Sequence, residues 1–465
     1  MRGPDAPSVD LARPQRIHVV GIGGAGMSAI ATVLAAMGHR VSGSDLKATQ
    51  GLDRLRALGV TVAVGHDASQ VEGADAVAVS TAIPARNAEV AAAAAAGIPV
   101  LRRAEILAAV VATRRAVAVA GTHGKTTTSS MLALALRAAD FRPSFLIGGE
   151  LNEIGSGAAW TDGEWLVVEA DESDGTFLEL APEAVVVTSV EPDHLEHYGG
   201  DVAGLVDAFE RFVAGAPGPR VVCADDPGAA RLAFLPGTTS YGTAPTADYA
   251  MTDVAVDRAS ARFTVSRRGE RLGTVSVPVP GLYNARNACG ALAAAHLLGA
   301  PFDAAAAGLA RYGGVARRYQ FRGTRAGVTL VDDYAHLPGE VRAVLAAARL
   351  GGWSRVVCVF QPHRFSRTAA LAATFAGAFD DADQVVVTDV YPSGEAPRPG
   401  VTGRLVADAA ARGRAPGTVH YVARREEWAP AVAALLRDGD VCLTLGAGDI
   451  TLLATELLDP SGPLR

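Results

Sequence analysis

Lysine is almost missing from this chain: of 42 basic residues only Lys47 and Lys125 are lysine, and the other 40 are arginine. A lysine kept against that bias is needed for its compact, rotatable ammonium and not for charge alone. Basic blocks are missing too. Acidic residues number 49, the net charge is -7 and no long run of arginines occurs, which argues against a general binder of nucleic acid or of a membrane surface. No stretch offers about 18 uncharged, strongly apolar residues, so no spanning helix is expected. Residues 1–15 are polar and proline-bearing with no apolar h-region, and read as a disordered leader rather than a secretion signal. Cysteine is scarce. Cys223, Cys289, Cys358 and Cys442 lie far apart, three in strand-like apolar runs and Cys289 in an alanine-rich helical stretch; that is the setting of buried thiols, not of disulfides or metal ligands. These absences point to a cytoplasmic protein.

What is present is nucleotide chemistry. At 465 residues the chain is too long for a single core and divides into about three domains, each α/β by its alternation of apolar strands and amphipathic helices. The expected boundaries are 16–108 for a Rossmann-like N-terminal domain, 109–315 for a central P-loop ATPase-like domain and 316–465 for a Rossmann-like C-terminal domain. In the first, a strand at 17–20 runs into Gly21-Ile22-Gly23-Gly24-Ala25-Gly26. A helix with Ile30, Val33, Leu34 and Met37 at core spacing follows, then a strand ending at Ser44-Asp45. G-x-G-x-x-G with an acid about twenty residues on is the fingerprint of a diphosphate held at a helix N-terminus. Alone it would indicate an NAD-dependent dehydrogenase with Asp45 on a ribose.

The second domain opens on an apolar run at 116–120, the loop Gly121-Thr122-His123-Gly124, and Lys125-Thr126-Thr127-Thr128 at the start of a helical segment. Backbone N–H groups and the helix N-terminus converge on such a turn, where Lys125 can bridge the β- and γ-phosphates of ATP and Thr126 can hold Mg²⁺. The strict G-x-x-x-x-G-K-[ST] pattern needs glycine at 119, where Val119 stands, so the loop is a shorter variant. Two more strands end in acids: 165–168 runs into Glu169-Ala170-Asp171-Glu172-Ser173-Asp174, and 185–188 into Glu191-Pro192-Asp193-His194. Strand C-termini line the crevice of open α/β sheets, and hard oxygen ligands beside a phosphate cradle suit Mg²⁺. The third domain has strands near 328–331, 356–360, 384–388 and 441–445, with a further one at 419–422. Their ends carry Asp332-Asp333-Tyr334-Ala335-His336, Gln361-Pro362-His363-Arg364 and Gly446-Ala447-Gly448-Asp449. A His-Arg pair directly after a buried strand is suited to holding an anion.

The strings GIGGAGMSAIA, AGTHGKTTT, EADESDGTF, EPDHLEHYG, DDYAHLP and FQPHRFSRT, in this order between about 17 and 458, resemble the Mur ligases. The resemblance implies that ATP phosphorylates the lactyl carboxylate of UDP-N-acetylmuramate. The amine of L-alanine then attacks the acyl phosphate, leaving ADP, phosphate and an amide for peptidoglycan precursor synthesis. GMS after the first glycine loop and ESDG after Asp171 favour this over the ligase that attaches a recycled tripeptide to the same sugar nucleotide. A non-catalytic nucleotide-binding regulator is a third reading.

By the same resemblance Gly121, Thr122, His123, Gly124, Lys125, Thr126 and Thr127 bind ATP, with Asn284 and Asn287 on its adenine side, and Thr126, Glu169 and His194 hold Mg²⁺. The UDP-sugar falls to Gly23, Gly24, Gly26, Met27, Ser28, Asp45, His66, Ser80 and Thr81. Tyr334, His336, His363, Arg364 and Arg367 face the substrate, and catalysis rests on Lys125, His194, Arg317, Arg318, His336 and Arg364. The chain departs from the family at Leu337 and Tyr283, where relatives have histidines. It departs again at Phe209, at about the spacing where neighbouring ligases use a carbamylated lysine. Linkers near 103–113 and 312–316 are expected to let the third domain move, and a monomer or homodimer is expected.

Overall fold

The computed structural model describes residues 9–48 and 50–464; residues 1–8 of the expected leader lie outside them. Residues 9–15 form no regular element but are anchored, since Leu11 is buried and the Gln15 N–H donates to His39 Nδ1 at 3.1 Å. The chain then builds three sheets, one for each domain.

The first sheet runs Thr61–Val64, Arg40–Asp45, Arg16–Val20, Ala76–Val79, Val100–Arg102, all parallel. The order reverses beside Arg16–Val20, so a crevice opens where that strand ends. The second sheet has ten strands, and its centre sets Arg115–Ala120 between Ala184–Val187 and Trp165–Glu169, again parallel. The loops leaving those three strands therefore emerge side by side. The third sheet runs Gln320–Arg325, Val328–Asp333, Val441–Leu445, Val356–Phe360, Gln384–Thr388, Val419–Val422. Only its first strand is antiparallel to its neighbour. Strands covered on both faces read as unbroken apolar runs, and Val185, Val186, Val187 and all of Val356–Phe360 are fully buried. The four cysteine thiols are buried and free.

These sheets fall into two compact units. One holds the first sheet and most of the second, because helix Ala25–Ala36 packs on strands Ser144–Leu151 and Ser156–Ala159. The expected linker at 103–113 is corrected here. Residues Arg103–Val111 form a helix that buries Ala104, Ile106, Ala108, Val110 and Val111, and the Glu105 carboxylate caps its start by accepting the Arg102 N–H at 2.7 Å. A helix with its apolar face covered is not a hinge. The other expected linker does fall at a boundary: the second unit takes up the chain at Gly313 and adds the segments Val254–Arg262 and Ser276–Ala285. Phe209 lies in a ring cluster, with Phe177 5.2 Å from it and Phe212 4.8 Å from Phe177.

Candidate active site

The buried strand Arg115–Ala120 turns through Gly121 at φ +134° and Gly124 at φ +81° into helix Lys125–Ala138. Both glycines are required. A Cβ on Gly121 would lie 2.2 Å from Thr188 Oγ1, and one on Gly124 would lie 2.6 Å from Asn287 Oδ1, besides the cost of positive φ for an L-residue. The chain after Ala184–Val187 straps the loop from the side. The Thr122 N–H donates to Ser189 O at 3.0 Å, the His123 N–H to Ser189 Oγ at 2.9 Å, the Glu191 N–H to Thr122 Oγ1 at 2.9 Å, and the Thr188 hydroxyl to His123 O. His123 Nε2 stands 3.4 Å from Glu191 Oε2, and Thr127 is buried in the helix.

Lys125 Nζ donates to Gly121 O at 2.7 Å and to the two Glu172 carboxylate oxygens at 2.9 and 2.8 Å. Burial pulls this ammonium down, but the carboxylates of Glu172, Asp171 and Glu169 outweigh it and hold the lysine above its ordinary value, so it stays charged. Thr126 Oγ1 donates to Glu169 Oε1 at 3.1 Å, and Glu169 Oε2 accepts the Gly148 N–H at 2.7 Å. His194 follows on the neighbouring loop at φ +51°, with Nε2 3.4 Å from Asp193 Oδ2. Among the described residues no three His, Cys, Asp or Glu side chains converge as a metal cage. Mg²⁺ does not need one: it takes one or two carboxylates and fills its remaining positions with phosphate oxygens and water. The paired Thr126 hydroxyl and Glu169 carboxylate fit that ion.

On the expected adenine side the two asparagines separate in role. Asn287 lies against Gly124, whereas Asn284 Nδ2 is spent on Pro280 O at 2.7 Å. Tyr283 packs its ring on the core of the third sheet, with its hydroxyl buried and unbonded.

The second unit gathers cations. Loops leaving Val328–Asp333, Val356–Phe360 and Val441–Leu445 share one edge of the third sheet. There the His336 ring lies 5.5 Å from Tyr334 and 5.7 Å from His363, and His363 stacks on Tyr391 at 5.9 Å. His336 Nδ1 faces Tyr334 O at 3.1 Å and Glu340 Oε2 at 3.3 Å, two acceptors, so Nδ1 carries the hydrogen in the neutral ring and Nε2 the lone pair. Burial holds His336 below the usual histidine value. His363 is pushed down to about 3 by burial and by the fields of His336, Arg367 and Arg364, and Arg367 donates to its Nδ1 at 3.4 Å. Arg364 sits at φ +67°, ψ +138°, a conformation that costs about 1–3 kcal/mol and tends to cluster at functional sites. Arg317, at φ +60°, spends its fork on Gly446 O at 2.5 Å and Gly448 O at 3.1 Å, with Nε 3.5 Å from buried Asp332. It struts the 446–449 loop; Arg318 lies 5.2 Å from the Tyr334 ring.

Models of three successive domains match this chain: the catalytic domain of the Mur ligase family over residues 16–115, the Mur ligase middle domain over 119–295 and the glutamate ligase domain of Mur ligases over 317–448. The chain belongs to the Mur ligase family. It is 49% identical to a UDP-N-acetylmuramate--L-alanine ligase of Saccharopolyspora erythraea over 96% of this chain and 93% of that one, and 48% identical to one of Kineococcus radiotolerans over 99% of each. The crystal structure of a UDP-N-acetylmuramate-alanine ligase from Thermotoga maritima matches with a TM-score of 0.80 at 29% identity, covering 96% of this chain and 98% of that one.

In this Mur ligase the first glycine loop departs from the dehydrogenase pattern. Asp45 Oδ2 accepts the Gly23 N–H at 2.9 Å, and a Cβ on Gly23 would lie 2.8 Å from it. The acid braces the loop instead of reaching for a ribose. Gly24 caps helix Ala25–Ala36 without a side-chain bond, and the Ser28 N–H closes the first turn on Gly24 O. Met27 is buried in the core, on the helix's inner face. Ser80 Cβ sits 3.0 Å from the Cβ position of Gly21, and Thr81 lines a pocket with Arg103 and Asp171. His66 Nδ1 meets Ser44 Oγ at 2.9 Å and Glu89 Oε2 at 3.0 Å, and Glu89 is fully buried.

Four residues that meet the expected site residues went unread in the sequence, Ser189, Glu89, Tyr391 and Glu340, and Glu172 was read only as one of several acids after the strand at 165–168. Glu340 accepts the His336 and Leu337 N–H groups at 2.8 and 3.0 Å. Its signal was present, an acid three residues after a helix start. The others act across strands far apart in the chain.

Proposed function

We propose that this Mur ligase joins the amine of L-alanine to the lactyl carboxylate of UDP-N-acetylmuramate in peptidoglycan precursor synthesis, with ATP converted to ADP and phosphate. The observation that carries the reading is the 48% identity over 99% of both chains to a relative of that name. A carboxylate oxygen attacks the γ-phosphorus and ADP leaves; the alanine nitrogen then attacks the acyl carbon, loses a proton, and phosphate leaves. Little covalent work falls to the protein, and orientation of the reactants is worth ~7–11 kcal/mol.

Each group has a place in that scheme. Lys125 exchanges Glu172 for phosphate oxygens, while loop N–H groups and the helix N-terminus receive the rest of the triphosphate. Thr126, Glu169 and His194 would hold Mg²⁺, which would supply neutralisation of the phosphate charge. Arg364, Arg367 and Tyr334 take the alanine carboxylate, Arg318 a phosphate oxygen, and the His336 Nε2 lone pair the amine's proton. Arg317 keeps Arg318 in place. The reading assigns domains to 16–108, 109–315 and 316–465 and a monomer or homodimer to the cytoplasm; among the described residues no helix is long and apolar enough to cross a membrane.

ADP release measured with the sugar nucleotide and L-alanine, singly and together, tests the reading. Release that needs both supports it. Release that needs a tripeptide in place of L-alanine, or hydride transfer to a nicotinamide, overturns it.

A further inference from the structure

Arg102 and Arg103 are adjacent, yet their surroundings differ. Arg102 is compensated by Glu105 at 3.2 Å and Glu179 at 3.1 Å. Arg103 makes no ion pair among the described residues, and its Nε is buried without a hydrogen bond. Its guanidinium lies on the first glycine loop: a Cβ added to Gly26 would come 2.8 Å from Arg103 Nε and 3.2 Å from Cζ. The third glycine of such a loop ordinarily permits close packing of helix on strand; here the space is filled by a cation. The same side chain lines a pocket with Thr81, Asp171 and Thr176, and its field helps Asp171 resist the upward push of burial. A guanidinium with no ion pair among the described residues and a buried, unbonded Nε, set beside a diphosphate cradle, is suited to bidentate recognition of phosphate.

We propose that Arg103 grips the diphosphate of the sugar nucleotide at the first glycine loop. The inference rests on the ligase reading for the identity of the ligand, and on the geometry above for the residue.

Calorimetric titration of the full chain and of Arg103→Ala and Arg103→Lys with UDP, UDP-N-acetylglucosamine, UDP-N-acetylmuramate and a non-hydrolysable ATP analogue tests it. Expected is a loss of about tenfold or more for all three uridine ligands in Arg103→Ala, the loss of one charge-assisted contact. Arg103→Lys should recover part of it, and the ATP analogue should bind within about twofold of wild type. Unchanged UDP affinity overturns the proposal. So does a loss confined to UDP-N-acetylmuramate, which would put the guanidinium on the lactyl carboxylate. An equal loss for the ATP analogue, with a lowered Tm, overturns it in favour of a structural tie to Asp171. A wild-type protein that binds none of the uridine ligands would instead refute the ligase reading.

Discussion

The two units hold their charges in opposite ways. Around the phosphate loop a single ammonium, Lys125, is bonded to Glu172 and lies in the fields of Asp171 and Glu169. Around the third sheet's edge Arg364, Arg367, His336 and His363 lie together, and burial first, then the fields of His336, Arg367 and Arg364, push His363 down to about 3. The first arrangement is compensated, so an arriving phosphate must displace a counter-ion already present. The second sets desolvated imidazoles among cations, a burden that burial dominates and whose like-charge part an anion relieves on binding. Binding by exchange tolerates an empty site at little cost in stability, whereas binding by relief makes the empty site a liability. The variants below separate the two.

Lys125→Ala should have the largest effect. The developing charge on the phosphates loses its fixed ammonium, and kcat/KM should fall by about a hundredfold or more, ~2.7 kcal/mol. Because exchange needs both partners, the same change also strands the buried Glu172 carboxylate, an error that costs about 3–5 kcal/mol. Tm should therefore fall. Adding Glu172→Gln in the double variant should restore Tm and leave the rate low. A double variant no more stable than the single one would show that the pair is not coupled and that the cradle is not compensated as described.

His336→Ala should cost about tenfold in kcat/KM for L-alanine, the loss of an oriented contact worth about 1.5–3 kcal/mol. Steady-state kinetics with alanine as the varied substrate reads it. Its neighbour His363 reports that burden through pH. The native state keeps this imidazole neutral down to about 3, while the unfolded chain takes up a proton below the ordinary histidine value of 6.5. The contribution is fully present above 6.5 and is lost as pH falls toward 3, with a slope of at most about 1.4 kcal/mol per pH unit. Wild-type Tm should therefore fall more steeply than that of His363→Gln as melts are taken from pH 7 to 4. Parallel curves would mean that His363 is charged in the native state and that no such burden exists.

How far the sequence was legible follows from the range of each interaction. Strands such as Val356–Phe360 and Val441–Leu445 appear with the expected bounds, because an unbroken apolar run between polar loops leaves the chain few alternatives. The phosphate loop was legible for a similar reason: its glycines, lysine and threonine are consecutive. Glu172 was visible only as one acid among several, since what singles it out is a bond to a residue 47 positions away. Glu89 stands just before an alanine run and carries no local signal, yet it is fully buried and bonded to Ser44 and His66. Asp45 was assigned to the UDP-sugar by the fingerprint, which fixes its position and not the direction of its carboxylate; the bond it accepts from the Gly23 N–H is visible only in the fold. The helix at 103–111 was taken for a linker because its apolar face is covered by elements distant in the chain, strand Ala76–Val79, helix Ala25–Ala36 and the turn Thr176–Glu179.

The smallest effect is expected from Leu337→His, and it sharpens the comparison most finely. Leu337 begins helix Pro338–Arg349, its N–H donates to Glu340 at 3.0 Å, and its side chain is buried. Its neighbour His336 makes the ring contacts with Tyr334 and His363. A histidine at 337 would therefore enter packing and not the cation cluster, and kcat/KM should stay within about threefold of wild type, under 1 kcal/mol. Burying an imidazole in place of a leucine should still lower stability by about 1–3 kcal/mol, seen as a lower Tm at neutral pH. If the added imidazole joined the cluster, it would be held uncharged by the same burial and fields as His363, and the acid side of the melting profile would steepen relative to wild type. A rate loss as large as that of His336→Ala would place the reacting side of the loop at 337 and overturn the assignment of His336.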